Sequence, residues 1–266
     1  MMDPIPEAAN RLALAGSDTA RLDARLLWQR AQRDFPAEPS AMLARFHNLV
    51  ARRQRREPIA YILGNKEFWS LDFAVGPGVL VPRPDTETLI EEALRLLADR
   101  SLALRIADLG TGSGAILAAA LTEFPNASGI GFESSYQAFG YGCANISRLI
   151  GERCEILLAD WATAHGPFDL VFCNPPYIPT AEIESLDPEV ARFEPRAALD
   201  GGPDGLDAYR GLSELLPKLI RPGGLGLLEI GLGQAQIVES LFPELEILRI
   251  APDLSGVPRC VILRKA

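Results

Sequence analysis

Apolar residues near the start of the chain recur at three- and four-residue steps. The pattern runs from about Ala8 to Arg56 and is typical of amphipathic helices that bury one face. Pro36 and Pro39 divide this region. Glu57-Pro58 ends its last helix, because the residue before a proline disfavours the α conformation. These positions predict a small helical domain at the start of the chain.

The pattern then changes. From Ile59 to Val81, aromatic and β-branched residues alternate with glycine and proline, which predicts a hairpin. After a helix over about Asp85–Ala98, short apolar runs alternate with helical stretches such as Ala115–Phe124 and Leu206–Leu219, and Pro222-Gly223-Gly224 predicts a turn before a buried strand. The runs interpreted as strands are Leu104–Leu109, Ser128–Phe132, Glu155–Leu158, Leu170–Phe172, Gly226–Ile230, Glu246–Ile250 and Val261–Arg264.

Strands that alternate with helices form parallel sheets, and right-handed crossovers place the helices on both faces. The sequence therefore predicts an α/β fold, with a doubly wound, mostly parallel, Rossmann-like sheet of seven strands and a small N-terminal helical domain. We expect the helical domain and its hairpin linker to occupy residues 1–75. The sheet domain then occupies residues 76–266.

Charge and composition narrow the function. The 266 residues carry 26 basic and 35 acidic side chains, a formal charge of −9, which is unfavourable for a protein whose main partner is duplex DNA. Protein substrates are more plausible. One basic cluster, Arg52 to Arg56, is interpreted as a solvated helix end, with contact to RNA or an acidic partner as the alternative.

Other features exclude some classes of protein. The four cysteines are scattered without C-x-x-C spacing, and the two histidines have no neighbouring ligands, so we expect neither a disulfide framework nor a metal site. The first residues lack a basic segment followed by an apolar run, and no run reaches membrane-spanning length. We expect a cytoplasmic protein, a monomer, without membrane contact.

A glycine-rich loop follows the first strand of the predicted sheet. Gly110-Thr111-Gly112-Ser113-Gly114 opens a helix, and glycines there allow the backbone to approach a nucleotide-like ligand closely. The next strand ends in Glu133, whose carboxylate is placed to bind ribose hydroxyls. Both S-adenosylmethionine and NAD would fit a site of this kind, although NAD-dependent dehydrogenases use G-x-G-x-x-G spacing and the spacing here is G-x-G-x-G. A tight structural turn is the remaining alternative.

Asp160 and Trp161 close the third predicted strand of the sheet. The Asp160 carboxylate could accept a hydrogen bond from an adenine amino group, and Trp161 could pack against the ring. A tryptophan at a sheet edge is as often a core residue. The two residues favour an adenosyl cofactor without establishing one.

The most specific motif is Asn174-Pro175-Pro176-Tyr177, which follows an apolar strand and so lies at the carboxyl edge of the sheet. The Asn174 side-chain oxygen and the Pro175 carbonyl could accept hydrogen bonds from both hydrogens of a planar NH2 group and orient its lone pair. Tyr177 would supply a stacking face, and Pro176 helps to fix the backbone. The motif predicts methyl transfer to a planar nitrogen, without a strong base.

At this point the sequence strongly resembles the bacterial release factor glutamine methyltransferases. The motif from Asn174 is shared with adenine-N6 DNA methyltransferases, whereas the Pro-Arg-Pro-x-Thr-Glu segment and the helical N-terminal domain are specific to this family. The segments that carry the resemblance span nearly the whole chain: Arg56–Gly64, Leu80–Glu87, Asp108–Gly114, Asn174–Ile178, Glu194–Leu199 and Gly201–Leu206.

The resemblance implies N5-methylation of the glutamine in the Gly-Gly-Gln loop of class I peptide chain release factors. It implies S-adenosyl-L-methionine as cofactor, S-adenosyl-L-homocysteine as product and recognition of the release factor by the N-terminal domain. Gly110 to Gly114, Glu133, Trp161 and Asn174 would contact the methyl donor. Asn174, Pro175, Pro176 and Tyr177 would hold the glutamine, with Asn174, Pro175 and Tyr177 acting in catalysis.

The chain departs from the family pattern at two places. Glu133 stands where the family usually has Asp, and Tyr136, Phe139, Gly140, Tyr141 and Gly142 replace an alanine-rich helix. Two glycines weaken a helix by roughly 1 kcal/mol each. These departures leave open an inactive module that binds the release factor without methylating it. A methyltransferase for exocyclic amines of nucleic acids is the other alternative, and a dehydrogenase is the weakest.

Overall fold

The computed structural model describes residues 3–266, so Met1 and Met2 of the predicted helical domain lie outside the described part. The chain divides into two compact units. The smaller comprises the chain up to Asn65 together with Leu186–Phe193, and the larger comprises Lys66–Ser185 and Glu194–Ala266. The segment predicted as a hairpin, Ile59 to Val81, is divided between the two units after Asn65, and the boundary predicted near residue 75 stays a prediction.

The smaller unit is helical. Its core is formed by apolar side chains that include Leu12, Leu27, Phe46 and Leu49, all fully buried. The pattern of three- and four-residue steps places these side chains on one face of each helix. Its helices are α1 (Ile5–Leu14), α2 (Ala20–Asp34), α3 (Pro39–Gln54), α4 (Ile59–Leu63) and, far along the chain, α8 (Pro188–Phe193).

The basic cluster at the end of α3 is not simply a solvated helix end. Arg55 is exposed, but Arg53 is only 2% exposed. Its guanidinium forms ion pairs with Asp23 at 2.6 Å and with Glu189 at 2.8 Å. The interpretation of the cluster as a solvated helix end is therefore wrong for Arg53, because the buried carboxylate of Asp23 and the half-buried carboxylate of Glu189, on other helices, neutralise its charge.

The larger unit contains a hairpin of β1 (Asn65–Phe68) and β2 (Leu71–Ala74) and a seven-stranded sheet. The sheet order is β5-β4-β3-β6-β7-β9-β8, with β9 antiparallel to both of its neighbours. The strands of the sheet are β3 (Arg105–Leu109), β4 (Ser128–Glu133), β5 (Cys154–Leu158), β6 (Phe168–Cys173), β7 (Ile220–Glu229), β8 (Glu246–Pro252) and β9 (Pro258–Arg264).

Helices cover both faces of this sheet. Leu117 and Leu121 lie close to Gly129 of β4, which pairs with Ile106 of β3. Ala107, the next residue of β3, points to the other face of the sheet, because side chains alternate along a strand. On that face it belongs to the hydrophobic core cluster that contains residues of the ninth helix. The helices of this unit are α5 (Glu87–Leu96), α6 (Ala115–Glu123), α7 (Tyr136–Leu149), α9 (Asp207–Leu219) and α10 (Ala235–Ser240).

The predicted fold class is confirmed, including the seven strands and the helices between them. One local prediction is only partly right. Pro222-Gly223-Gly224 lies within β7, which already begins at Ile220, and not before the strand. Residues 221–224 nevertheless leave the pairing with β6, because Ile220 pairs with Phe168 and Leu225 pairs with Leu170. Among residues 3–266, no helix has the length and apolar composition that crossing a membrane requires.

The ion pairs of Arg53 give a test of the smaller unit. We expect Arg53→Ala to lower the free energy of unfolding by roughly 3–5 kcal/mol, because removing one partner leaves buried carboxylate charge uncompensated. The matched control is Arg55→Ala at the exposed neighbour, for which we expect a change within about 0.5 kcal/mol. Urea denaturation followed by circular dichroism measures both, and equal stabilities would contradict the structural role of Arg53.

Candidate active site

The candidate site lies where four parallel strands of the larger unit end. The chain leaves β3 towards β4 and β5 on one side and returns to β6 on the other, so the strand order reverses between β3 and β6. Ligands of open α/β sheets bind at such a switch point, outside the carboxyl ends of the strands. The glycine loop, Glu133, Asp160 and Asn174 all follow or end these strands.

The glycine loop is held against the neighbouring strand. The amides of Gly110 and Thr111 both donate to the carbonyl of Phe132, at 2.9 and 3.0 Å. Gly110 has a φ of 75°, which favours glycine. A Cβ there would also lie 2.9 Å from the Trp161 ring. The sequence therefore needs glycine at this position for backbone conformation and for the close approach of Trp161.

A buried carboxylate near the end of β3 stabilises the glycine loop by a hydrogen bond. Asp108 is fully buried, and its Oδ2 accepts a 2.6 Å hydrogen bond from the Thr111 hydroxyl. The pKa of Asp108 is raised to about 7, mainly by burial; the Thr111 hydrogen bond acts to lower it and the charge of Glu133 to raise it. Asp108 was not among the predicted site residues, although an acidic residue inside an apolar strand is a usable signal.

Glu133 holds the loop as well as lining the cavity beside it. Its Oε2 accepts a hydrogen bond from the Gly112 amide at 2.9 Å, and its Oε1 accepts one from the Ser135 amide at 2.7 Å. Each carboxylate oxygen has two lone pairs, so capacity remains for the hydroxyls of a ribose. The longer side chain of Glu therefore still places its carboxylate at the loop.

Asp160 and Trp161 lie together at the end of β5. The exposed Asp160 accepts a 2.8 Å hydrogen bond from the Ala162 amide and thereby caps the short 3-10 helix Trp161–Thr163. Trp161 is half-buried and reaches Gly110 of the loop. Both residues line the cavity that also borders the glycine loop.

Two polar side chains of the Asn-Pro-Pro-Tyr motif form hydrogen bonds with residues of other segments. The Asn174 Nδ2 donates to the Thr86 hydroxyl at 3.2 Å, and within residues 3–266 its Oδ1 accepts no hydrogen bond. The Tyr177 hydroxyl donates to Glu229 Oε1 at 3.3 Å. Burial is the largest influence on the pKa of Glu229, which is raised to about 7, while the Tyr177 hydrogen bond and the charge of Arg259 act in the opposite direction.

These residues border a cavity of about 340 Å³. The predicted site residues that line it are Gly110, Thr111, Gly112, Ser113, Glu133, Asp160, Trp161, Asn174 and Pro176. Gly114, Pro175 and Tyr177 are not in the lining. Gly114 instead lies at the start of α6, Pro175 is buried, and Tyr177 is half-buried beside Glu229.

Other residues of the cavity were missed by the motif analysis. The cavity is also lined by Phe68, Leu80, Pro82, Arg83, Thr86, Pro195, Ala197 and Ala198. Glu194, 6% exposed, joins two of these segments because it forms an ion pair with Arg83 and accepts a hydrogen bond from the Val81 amide at 3.2 Å. The signal was present in the sequence, since the segments around Arg83 and Glu194 carry the family resemblance.

The unusual glycine-containing segment forms a regular helix. Helix α7 runs from Tyr136 to Leu149 and is capped by the Ser135 hydroxyl. A Cβ on Gly142 would lie 2.8 Å from the carbonyl oxygen of Gly112, whereas a Cβ on Gly140 would meet nothing within 4 Å. Gly142 therefore allows α7 to pack directly against the glycine loop, and Gly140 has no such role.

Comparison with known proteins identifies the class. Residues 86–187 match the family model described as the methyltransferase small domain, and residues 5–64 match the PrmC N-terminal domain. The fold is also that of a 16S rRNA N2 methyltransferase from Thermus thermophilus in complex with AdoMet and guanosine, with a TM-score of 0.53, 17% identity and coverage of 76% of this chain and 50% of the other. The protein is a methyltransferase of this Rossmann-like class.

Sequence relatives narrow the class to a family. The chain is 43% identical to the release factor glutamine methyltransferase of Rhodospirillum rubrum, over 98% of this chain and 84% of the relative. It is 41% identical to the protein of the same name in Caulobacter vibrioides, over 96% of this chain and 93% of the relative. The chain belongs to the release factor glutamine methyltransferase family, which confirms the resemblance noted in its sequence.

The contact of α7 with the glycine loop can be tested by binding of the methyl donor, with S-adenosyl-L-methionine as the probe in calorimetry. We expect Gly142→Ala to weaken binding by roughly tenfold or more, because overpacking against a backbone carbonyl costs about 1–3 kcal/mol. Gly140→Ala is the matched control on the same helix. It should leave binding unchanged and stabilise the helix by about 1 kcal/mol. Equal binding by both variants would show that α7 does not shape the loop.

Proposed function

We propose that the protein transfers the methyl group of S-adenosyl-L-methionine to the side-chain N5 of the glutamine in the Gly-Gly-Gln loop of class I release factors. The observation that carries the proposal is the side chain of Asn174. Its Nδ2 is held by Thr86, which leaves Oδ1 as its available acceptor at a cavity beside the glycine loop. An acceptor there suits an amide NH2 group.

The residues of the cavity suit the cofactor. The loop around Gly110 and Gly112 offers backbone that a side chain would block, Glu133 keeps free lone pairs for ribose hydroxyls, and Trp161 offers an aromatic face. Asp160 retains a carboxylate oxygen for an adenine amino group. When bound, S-adenosyl-L-methionine supplies a methyl group already activated on a sulfonium. The chain must then contribute positioning.

The motif residues would do that positioning. An amide nitrogen is a poor nucleophile because its lone pair is delocalised into the carbonyl group. Hydrogen bonds from its two N–H groups to Asn174 Oδ1 and to the Pro175 carbonyl would fix the nitrogen and orient it for in-line attack. No protein base is required, since the nitrogen becomes acidic once it is methylated and can release its proton afterwards. Tyr177 would border the glutamine side chain.

A planar amine of RNA or DNA would satisfy the same acceptors, and the fold itself does not choose between them. Family membership and charge favour the protein substrate. The chain carries a net charge of −9, and several basic side chains at the end of α3 are used in internal ion pairs. Nucleic-acid binding depends on free cationic side chains that neutralise phosphates. Glutamine in a protein loop is therefore the preferred acceptor.

Methyl transfer to a purified release factor tests the proposal. After incubation with S-adenosyl-L-methionine, mass spectrometry should find one methyl group on the glutamine of the Gly-Gly-Gln peptide. We expect Asn174→Ala to lower kcat by about 100-fold, because a misplaced acceptor loses most of the benefit of orientation. The exposed Asn126, in the loop after α6, provides the control Asn126→Ala, which should retain wild-type activity.

Parallel reactions with ribosomal RNA and DNA separate the alternatives. Transfer to nucleic acid alone would overturn the choice of glutamine as acceptor. Absence of cofactor binding in calorimetry by the folded wild-type protein would support an inactive module that only binds the release factor. Cofactor binding by Asn174→Ala without methyl transfer would place the defect of that variant in the handling of the acceptor.

A further inference from the structure

The side chain of Gln234 joins three segments of the larger unit. Gln234 directly precedes α10 and is outside the lining of the cavity. Its Nε2 donates to the carbonyl of Tyr177 at 2.9 Å and to the carbonyl of Gly205 at 3.2 Å. Its Oε1 accepts a hydrogen bond from the Gly231 amide at 2.9 Å. One amide group therefore connects the motif, the segment Gly201–Leu206 and the loop after β7.

The partners of Gln234 determine which way its side-chain amide points. Carbonyl oxygens can only accept hydrogen bonds, and a backbone N–H can only donate one. A reversed amide would therefore lose all three hydrogen bonds. An ionised carboxylate of the same length would keep only the bond from Gly231 and would repel the carbonyls of Tyr177 and Gly205. The arrangement thus depends on the two donors of an amide, which an ionised glutamate cannot supply.

The segment Gly201–Leu206 carries the family resemblance, and the proposed function gives it no role. Gly205 allows this segment to approach the motif closely, because a Cβ there would overlap the Tyr177 carbonyl oxygen and lie 2.8 Å from Gln234 Nε2. Both carbonyls accept from the same nitrogen, so its two N–H groups compensate the negative partial charges of the two oxygens. The segment therefore supports the motif through Gln234.

The residues that follow the motif pair with the same part of the chain. The Ile178 amide donates to the carbonyl of Leu199 at 3.0 Å, and the Ile178 carbonyl accepts from the Gly201 amide at 2.9 Å. The Thr180 amide donates to the carbonyl of Gly202 at 2.9 Å. The two residues before Leu199 line the cavity. One wall of the cavity is therefore hydrogen-bonded to the chain that leaves the motif.

The motif is thereby fixed at both ends. At its start, Asn174 directly follows β6, which is paired with a strand on either side. At its end, the Tyr177 carbonyl is held by Gln234. The two residues between these ends are prolines, whose rings restrict φ. The carbonyl of Pro175 therefore has little freedom to move once Gln234 is in place.

We propose that Gln234 is a positioning residue for the methyl acceptor: it holds the end of the motif at the Tyr177 carbonyl and so fixes the Pro175 carbonyl that accepts from the planar NH2 group. This inference rests on the proposed function, because the place of that carbonyl matters to catalysis only when an N–H group is its partner. Gln234 acts through the motif, since it does not line the cavity. It was not identified from the sequence.

Steady-state kinetics of Gln234→Glu tests the proposal, with the acceptor that the wild-type protein methylates. The variant keeps the shape of the side chain and loses both donors. We expect kcat to fall by about tenfold or more, because a displaced carbonyl orients the acceptor nitrogen poorly. The dissociation constant for S-adenosyl-L-methionine, measured by calorimetry, should stay unchanged. The glycine loop is held by Phe132, Asp108 and Glu133 and not by Gln234.

Gln236 gives the matched control. It is exposed on α10, two residues further along the chain, and Gln236→Glu makes the same change of charge. This variant should keep the wild-type kcat. Wild-type kcat in Gln234→Glu would overturn the proposal. Equal losses of kcat in both variants would also overturn it, because the added charge and not the lost hydrogen bonds would then be responsible.

A measurement without turnover separates this proposal from the proposed function. Amide hydrogen exchange, followed by NMR, should be faster at Ile178 and Thr180 in Gln234→Glu than in the wild type, and unchanged within β3. Unchanged exchange at Ile178 and Thr180 would overturn the support of the motif by Gln234. Faster exchange throughout β3 would also overturn it, because Gln234 would then be required for the fold as a whole. These outcomes hold even if the wild type methylates no release factor, a result that contradicts the proposed function alone.

Discussion

The site depends on one constraint, the pairing of parallel strands that end at the same edge of the sheet. Leu109 of β3 pairs with Phe132 of β4 and with Cys173 of β6. The next residues, Gly110, Glu133 and Asn174, therefore leave the sheet side by side. A shift of register by one residue would turn their side chains to the other face and separate the glycine loop from the motif. Fold and chemistry are thus coupled through the register of the sheet.

Buried carboxylates then connect the loops that leave this edge. Asp108 bonds to Thr111, and Glu133 bonds to the amides of Gly112 and Ser135. Glu229 accepts from Tyr177. Because the pKa of Asp108 and that of Glu229 are raised to about 7 in the folded protein, their ionisation opposes folding once the pH exceeds their ordinary values. The hydrogen bonds they accept offset part of this cost.

Much of this arrangement was predictable from local sequence. Apolar runs and glycine spacing depend on neighbouring residues, so the seven strands, the loop from Gly110 and the motif from Asn174 could be predicted. Contacts between distant segments could not. Thr86 lies 88 residues before Asn174, and Glu229 lies 52 residues after Tyr177. Arg53 likewise forms an ion pair with Glu189, far along the chain, which its local sequence pattern could not indicate.

The chemistry of the acceptor and the choice of the acceptor reside in different parts of the larger unit. In the proposed function, the motif at the end of β6 would bind a planar NH2 group of any molecule that reaches it. Phe68 of the hairpin and the segments around Arg83 and Pro195 also line the cavity. Glu194 joins the two segments through Arg83 and the Val81 amide. Since these segments lie outside the sheet and carry the family resemblance, they are where selection of a protein loop over a nucleobase would be encoded.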